Sequence, residues 1–273
     1  MAAIDLTRLD KQIDELALLV DDPRAFQEEL HRLLSFYHRY SHRRHQNRQI
    51  SFLKNYDLPE KVLSHIEARL KPLSLNEPGR VFELVKQLWQ DPYYEARELA
   101  SSMLGNLPIS YKDQVLETIE KWLAEPLDHG LSEAVIENAG LRLQAESPED
   151  WEKLINRLLN VPKVQSKRLG LLALSKVISA STVDRLPLYF RWVREFLIGP
   201  DASVDKALER VVEALAEKSP QETAYLLREV LTDSNDAVVG RRIRHYLPFF
   251  DEEPQQRILK AIKNQVILPP GKP

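Results

Sequence analysis

Proline-led helix starts recur along this chain at a fixed interval, and that interval restricts the fold more than any other feature of the sequence. Pro78 and Pro148 are 70 residues apart, Pro148 and Pro220 are 72, and Pro220 and Pro254 are 34. These steps are two, two and one units of about 35 residues, a period that marks stacked helical hairpins. The clearest unit runs from Glu77 to Pro108. Its first helix, opened by Glu77-Pro78, sets Val81, Val85 and Leu88 on one face beside Phe82 and Trp89. Its second, opened by Asp91-Pro92, turns Ala96, Leu99, Ala100, Met103 and Leu104 inward and carries Gly105 near its end. An acceptor side chain before proline is expected to cap free helix N–H groups. Gly105 is expected to close the helix in the left-handed region. Ser147-Pro148, Ser219-Pro220 and Glu253-Pro254 repeat the opening, and the period puts further first helices near Tyr111 and Arg185. Second helices are expected from about Pro92, Asp128, Lys163, Asp201 and Asn235.

One hairpin buries little apolar surface, so its neighbours must complete the core. The expectation is an all-α chain: a right-handed α-solenoid, or superhelix, of HEAT-like or armadillo-type hairpin repeats. Eight glycines and no alternating β-branched runs agree with it. Residues 1–75 form an N-terminal helical cap, 76–268 the array, continuous with the cap as one domain, and 269–273 a tail. In the cap, Leu6, Leu9, Ile13, Leu16 and Val20 make one helical stripe. Asp22-Pro23 starts a second helix with Phe26, Leu30, Leu33, Leu34 and Tyr37 inward. A turn at Asp57-Leu58-Pro59 leads to a short helix with Val62, Leu63, Ile66 and Leu70, and LSLNE links it to the array.

The net charge of −3 and the pI near 6.2 exclude a grossly basic protein but leave room for a local basic face. Zero cysteines remove disulfides, thiolate metal sites and cysteine nucleophiles. No apolar run reaches membrane-spanning length, and the acidic, amphipathic start is unlike a signal peptide, so a cytoplasmic location without membrane contact is expected. No glycine-rich phosphate loop, G-x-S-x-G elbow or H-E-x-x-H helix occurs, and Glu28 with His31 is a lone E-x-x-H. No cofactor is expected. His38, His42 and His45 have a spacing a metal could use, but the arginines around them argue against it, and no metal is expected.

Two groups of residues are left for function. Between Glu29 and Asp57 no acid occurs, while Arg32, Arg39, Arg43, Arg44, Arg48 and Lys54 are basic, with Tyr37 and Tyr40 among them. This reads as a solvated basic face or as a phosphate-contacting one. On the second helices, Lys163, Lys167 and Arg168 are followed in the next repeat by Lys206 and Arg210, then by Arg241, Arg242, Arg244 and His245. Cations in adjacent repeats suit a phosphate backbone, although Glu209, Glu213 and Glu217 dilute them. In LDHGLSEAVIENAG, His129, Glu133 and Glu137 recur every four residues and so share a helical face. An exposed acidic helix start, favoured by the helix dipole, is the simpler account of them.

The order of these segments resembles the HEAT-like DNA alkylation-repair glycosylases, the AlkD-like family, from about Ser51 to Leu247. FLKNYDLPEKV is similar to the family's F-L-G-x-x-x-P-x-x-R segment without its glycine and arginine. LWQDPYYEARELASSML is similar to its L-W-x-x-x-x-x-E-x-x-x-x-A run. VQSKRLGLLAL, SVDKALERVVEALAEKSP and VVGRRIRHYL resemble its later basic helices. The resemblance implies a protein that binds duplex DNA, damaged or branched, and excises cationic alkylated bases with an aspartate and two tryptophans. Counted along this chain, the aspartate falls on Glu133 and the tryptophans on His129 and Arg210. It thus implies Glu133 and His129 as catalytic candidates, and Arg44, Lys167, Arg168, Lys206, Arg210, Arg241 and Arg242 as DNA-binding residues. With the aromatic cradle replaced, it implies weak or altered excision. The alternative is a non-enzymatic HEAT-repeat scaffold that binds a protein partner along its concave face.

Overall fold

The computed structural model describes residues 5–38, 53–180, 182–199, 201–234 and 236–267. Among these the chain is helical, and its extended pairing is an isolated bridge between Lys54 and Tyr93. The cap consists of α1 (Leu6–Ala17), α2 (Pro23–His38) and α3 (Glu60–Asn76). Next come α4 (Pro78–Trp89), α5 (Tyr94–Gly105), α6 (Lys112–Ala124) and α7 (His129–Ala134), then a π-helical turn (Val135–Ala139) and α8 (Leu141–Glu146). The remainder is α9 (Pro148–Asn160), α10 (Val164–Ala180), α11 (Leu186–Ile198), α12 (Asp205–Lys218), α13 (Pro220–Asp233), α14 (Ala237–His245) and α15 (Glu252–Ile267). The starts expected near Tyr111 and Arg185 are those of α6 and α11, each led in by a single 3-10 turn. Contacts divide the chain into two compact units, Met1–Trp151 and Glu152–Pro273, and the division falls inside α9.

In the first unit the apolar stripe of α1 buries Leu9, Ile13 and Leu16, while Leu6 at its start stays exposed. Asp10 and Asp14 of α1 meet His65 and Arg69 of α3 and hold the two helices together at their rim. The expected short helix after Asp57 is longer than predicted, because LSLNE continues it as far as Asn76 through Pro72. Proline removes one ladder bond there. Leu70 and Ser74, both fully buried, pack the turn against its neighbours, and that packing offsets the loss.

Helix starts follow two rules, not one. Asp5, Asp22, Asp128, Asp201 and Asp236 accept N–H bonds from the turn that follows each of them. Glu77 and Ser219, both before proline, do not cap. Their side chains turn instead to Arg80 and Glu222. Proline already supplies a helical φ and removes one orphan N–H, so these helices open without a cap.

Gly105 likewise serves a different purpose from the expected one, since no described glycine has positive φ. A Cβ at this position would lie 1.8 Å from the Asn138 carbonyl oxygen. The glycine therefore lets α5 approach the backbone of the π turn directly. Alanine normally favours a helix over glycine by about 1 kcal/mol, but here a carbonyl of a packed turn would have to move. Gly105→Ala is expected to lower stability by about 1–3 kcal/mol net, read as a reduced midpoint in urea unfolding. An unchanged or higher midpoint would mean that the π turn is free to shift.

The largest buried pair of the first unit is Trp89 on Trp122, with parallel rings 3.8 Å apart. Trp89 Nε1 donates to the Glu125 carboxylate at 3.1 and 3.2 Å, and the Arg97 guanidinium lies 5.5 Å from the centre of the Trp89 ring. In the second unit α10 packs along α12, α11 on α13 and α13 on α15. Leu171, Leu174 and Ile178 of α10 and Leu208, Val211 and Leu215 of α12 are buried there. No described helix is long and apolar enough to cross a membrane.

Candidate nucleic-acid interface

The cations expected to hold phosphates, apart from Arg44, fall in the second unit on α10, α12 and α14. Arg44 lies outside the described residues. Arg242 and His245 of α14 pair with Asp205 and Glu209 of α12, which ties α14 to α12 through side chains, while α12 packs directly along α10. Lys206 and Arg210 are four residues apart and exposed on α12, and Arg241 is exposed on α14. Arg168, Lys206 and Arg241 have no ion-pair or hydrogen-bond partner among the described residues, and the Arg168 Nε is sealed from solvent with its proton unused. Lys167 lines a cleft of about 290 Å³ with Asn160, Glu195 and Asp201, and its charge helps hold the Asp201 carboxyl below its usual range, after the hydrogen bonds from Ser203.

Arg242 corrects the sequence reading. Its side chain is 6% exposed, and Nη1 donates to the carbonyls of Phe196, Leu197 and Gly199 at the end of α11. Nε lies 2.9 Å from Asp205. The guanidinium closes the carbonyl end of one helix and ties two others to it, a favourable place for a cation. With its side chain 6% exposed, it presents little of itself to a phosphate at the surface.

In the first unit, Asp128 caps α7, and His129 Nδ1 lies 3.3 Å from Glu133 Oε1. Both side chains are partly exposed, at 32% and 27%. The π turn begins two residues after Glu133. His129 and Glu133 are brought together. Trp122, close in sequence, is 3% exposed and committed to Trp89.

Residues 58–129 match a family model described as DNA alkylation repair enzyme. That stretch is similar to the DNA alkylation repair enzyme family over about a quarter of the chain. No curated protein matches the chain. The DNA alkylation repair match spans α3 to α6 and ends at His129, four residues before Glu133. It contains Trp89, Asp91, Glu95 and Arg97, one of the runs on which the resemblance rested.

Around Asp91, within the matched stretch, the structure also shows a polar cluster that sequence reasoning missed, with its other members outside that stretch. Asp91, read as a helix opener, is fully buried and bonds His31 and Gln27 of α2, and His31 in turn bonds Tyr56. These partners are 25 to 64 residues apart in sequence, so no spacing rule could reveal them. The available signal was weaker: His31 and Gln27, four apart, share a face of an otherwise amphipathic helix.

Proposed function

We propose that this chain binds duplex DNA as a protein of the alkylation-repair type and excises cationic alkylated bases weakly or with altered preference. The observation that carries the reading is the set of cations without acidic partners, Arg168, Lys206 and Arg241, on three neighbouring helices of the second unit. Cations inside a protein's own salt-bridge network gain little from a phosphate, whereas these have their full charge to offer. Binding of a labelled duplex, followed by fluorescence anisotropy across a salt series, tests it. Affinity is expected to fall linearly in log K against log salt. No binding at low salt would overturn the proposal.

Glu133 is the candidate for chemistry in the first unit. A cationic alkylated base leaves with the electron pair of its N-glycosidic bond and becomes neutral. The sugar left behind carries oxocarbenium charge, which a carboxylate stabilises. Water then adds to the anomeric carbon, and its proton passes to the Glu133–His129 pair. Glu133→Gln keeps the shape and removes the charge. It is expected to abolish release of alkylated base from methylated duplex while duplex affinity stays the same or rises. Release at the parent rate would remove Glu133 from the mechanism.

A further inference from the structure

The cluster around His31 is built with more constraints than a helix contact needs. Lys54 N–H donates to the Pro92 carbonyl, and Tyr94 N–H donates to the Lys54 carbonyl. This two-way bridge brings the chain before α3 against the start of α5 and stacks Tyr56 on Tyr93, with ring centres 4.5 Å apart. The Tyr56 N–H donates to Glu95 Oε1 at 2.9 Å, and the Tyr56 carbonyl accepts from His38. Asp57, the next residue, has φ of 50°, the one left-handed residue among those described. That strained turn lets the chain leave toward α3 without disturbing the stack.

Three side chains run inward from the stack. The Tyr56 hydroxyl lies 3.0 Å from His31 Nδ1, and His31 Nε2 lies 2.8 Å from Asp91 Oδ2. Asp91 is fully buried, and its other oxygen accepts from the Tyr93 N–H. Burial would raise the Asp91 carboxyl, but the hydrogen bonds from His31, Gln27 and Tyr93 outweigh it and hold the group below its usual range. Burial, followed by Tyr93, Asp91 and Glu95, pushes the Tyr56 phenol well above its ordinary value, so it keeps its proton.

The protons in this chain can be arranged in two ways. With His31 neutral, Nε2–H points to Asp91 and Nδ1 accepts the Tyr56 proton, so the hydroxyls point inward. With His31 protonated, Nδ1–H points at the Tyr56 oxygen instead. The Tyr56 oxygen then accepts, and its own proton turns away from the imidazole toward the Tyr93 side of the stack. The exposed Lys54 ammonium stands 5.6 Å from the centre of the Tyr93 ring, at the same edge. A hydroxyl donor turned away from His31, an ammonium and a half-buried imidazolium together suit an anionic oxygen.

We propose that Tyr56, Tyr93 and Lys54 form an anion site for a phosphate group, switched on by protonation of His31. Binding therefore takes up one proton. The charged and titratable groups facing His31 are Asp91, Tyr56 and Tyr93, with Lys54 and Glu95 behind the tyrosines, Arg97 on the Asp91 carbonyl and His38 on the Tyr56 carbonyl. Glu28 and Arg32 flank it on its own helix, and Arg32 is paired with Glu29. The phosphate can come from a DNA backbone or from a free phosphate, and the chemistry of the site is the same for both.

The test is an NMR titration of histidine ring signals in the full chain, with His31 assigned through His31→Gln. It is run in chloride, in sulfate at equal ionic strength, and with a duplex oligonucleotide. Sulfate is a tetrahedral dianion that does not titrate in this range. It is expected to raise the His31 midpoint by about half a unit or more, with His65, paired with Asp10 outside both sites, unmoved as a control. Tyr56→Phe should remove the shift, and Lys54→Met, at an exposed position outside the relay, should reduce it. The same shift with duplex assigns the site to DNA phosphates, and a shift with sulfate alone assigns it to a free phosphate. No shift with either anion overturns the proposal even if the duplex binds elsewhere, as does a shift that survives in Tyr56→Phe. A sulfate shift without any duplex binding would instead uphold this site and overturn the DNA-binding reading.

Discussion

Trp89→Ala is expected to cost about 3–5 kcal/mol of stability, the largest single-residue effect in the first unit. Three losses add together there. The indole is 1% exposed and fills the interior between α4 and α6, so its removal leaves a cavity that the neighbouring helices can only partly close. Its parallel stack on Trp122 goes with it. The Glu125 carboxylate also loses the Nε1–H donor held at 3.1 Å and must find water. Urea unfolding followed by far-UV circular dichroism and by the fluorescence of the remaining tryptophans measures the change. Trp89→Phe keeps an aromatic ring but no donor, and a smaller loss is expected for it. Equal, small losses for both variants would show that the stack contributes little to stability.

The triple variant Arg168→Glu/Lys206→Glu/Arg241→Glu is expected to weaken duplex binding on the order of 10²-fold at low salt. It should also flatten the salt dependence by about 0.9 in log K per log salt for each phosphate contact removed. None of the three has a protein partner among the described residues, so no internal salt bridge is broken, and at the exposed Lys206 and Arg241 stability should change little. Arg242→Ala makes the contrast. Its guanidinium holds three carbonyls and Asp205, so its effect belongs to unfolding and not to the salt slope. A triple variant that binds with the parent's affinity and slope would remove these helices from the interface.

The two kinds of arginine on α14 mark a limit of sequence reading. Arg241 and Arg242 are adjacent and chemically identical, and the pattern VVGRRIRHYL treats them alike. Their roles part only because a helix turns about 100° per residue. That rotation leaves Arg241 in solvent and sends Arg242 into the end of α11. Gly105 shows the same limit from the other side. Its place near a helix end suggested a left-handed cap, while the structure uses its missing Cβ to seat a π turn. His129 and Glu133, by contrast, could be paired from sequence, because four residues along one helix is a local distance.

The sequence by itself determined the helices of this protein, nearly all of their starts and their apolar faces. Those follow from local rules: the 3.6-residue period, proline at the first turn and short acceptors before it. It also carried enough of the Leu88–Trp89 to Ala100 run to point to DNA alkylation repair. Only the tertiary structure decided which charges are spent within the protein and which remain for a partner. It alone brought His31, Tyr56 and Asp91 into one hydrogen-bonded line. The physical reason is that hydrogen bonding and burial of polar groups depend on what lies opposite in space. In a chain of packed helices, that neighbour is commonly tens of residues away.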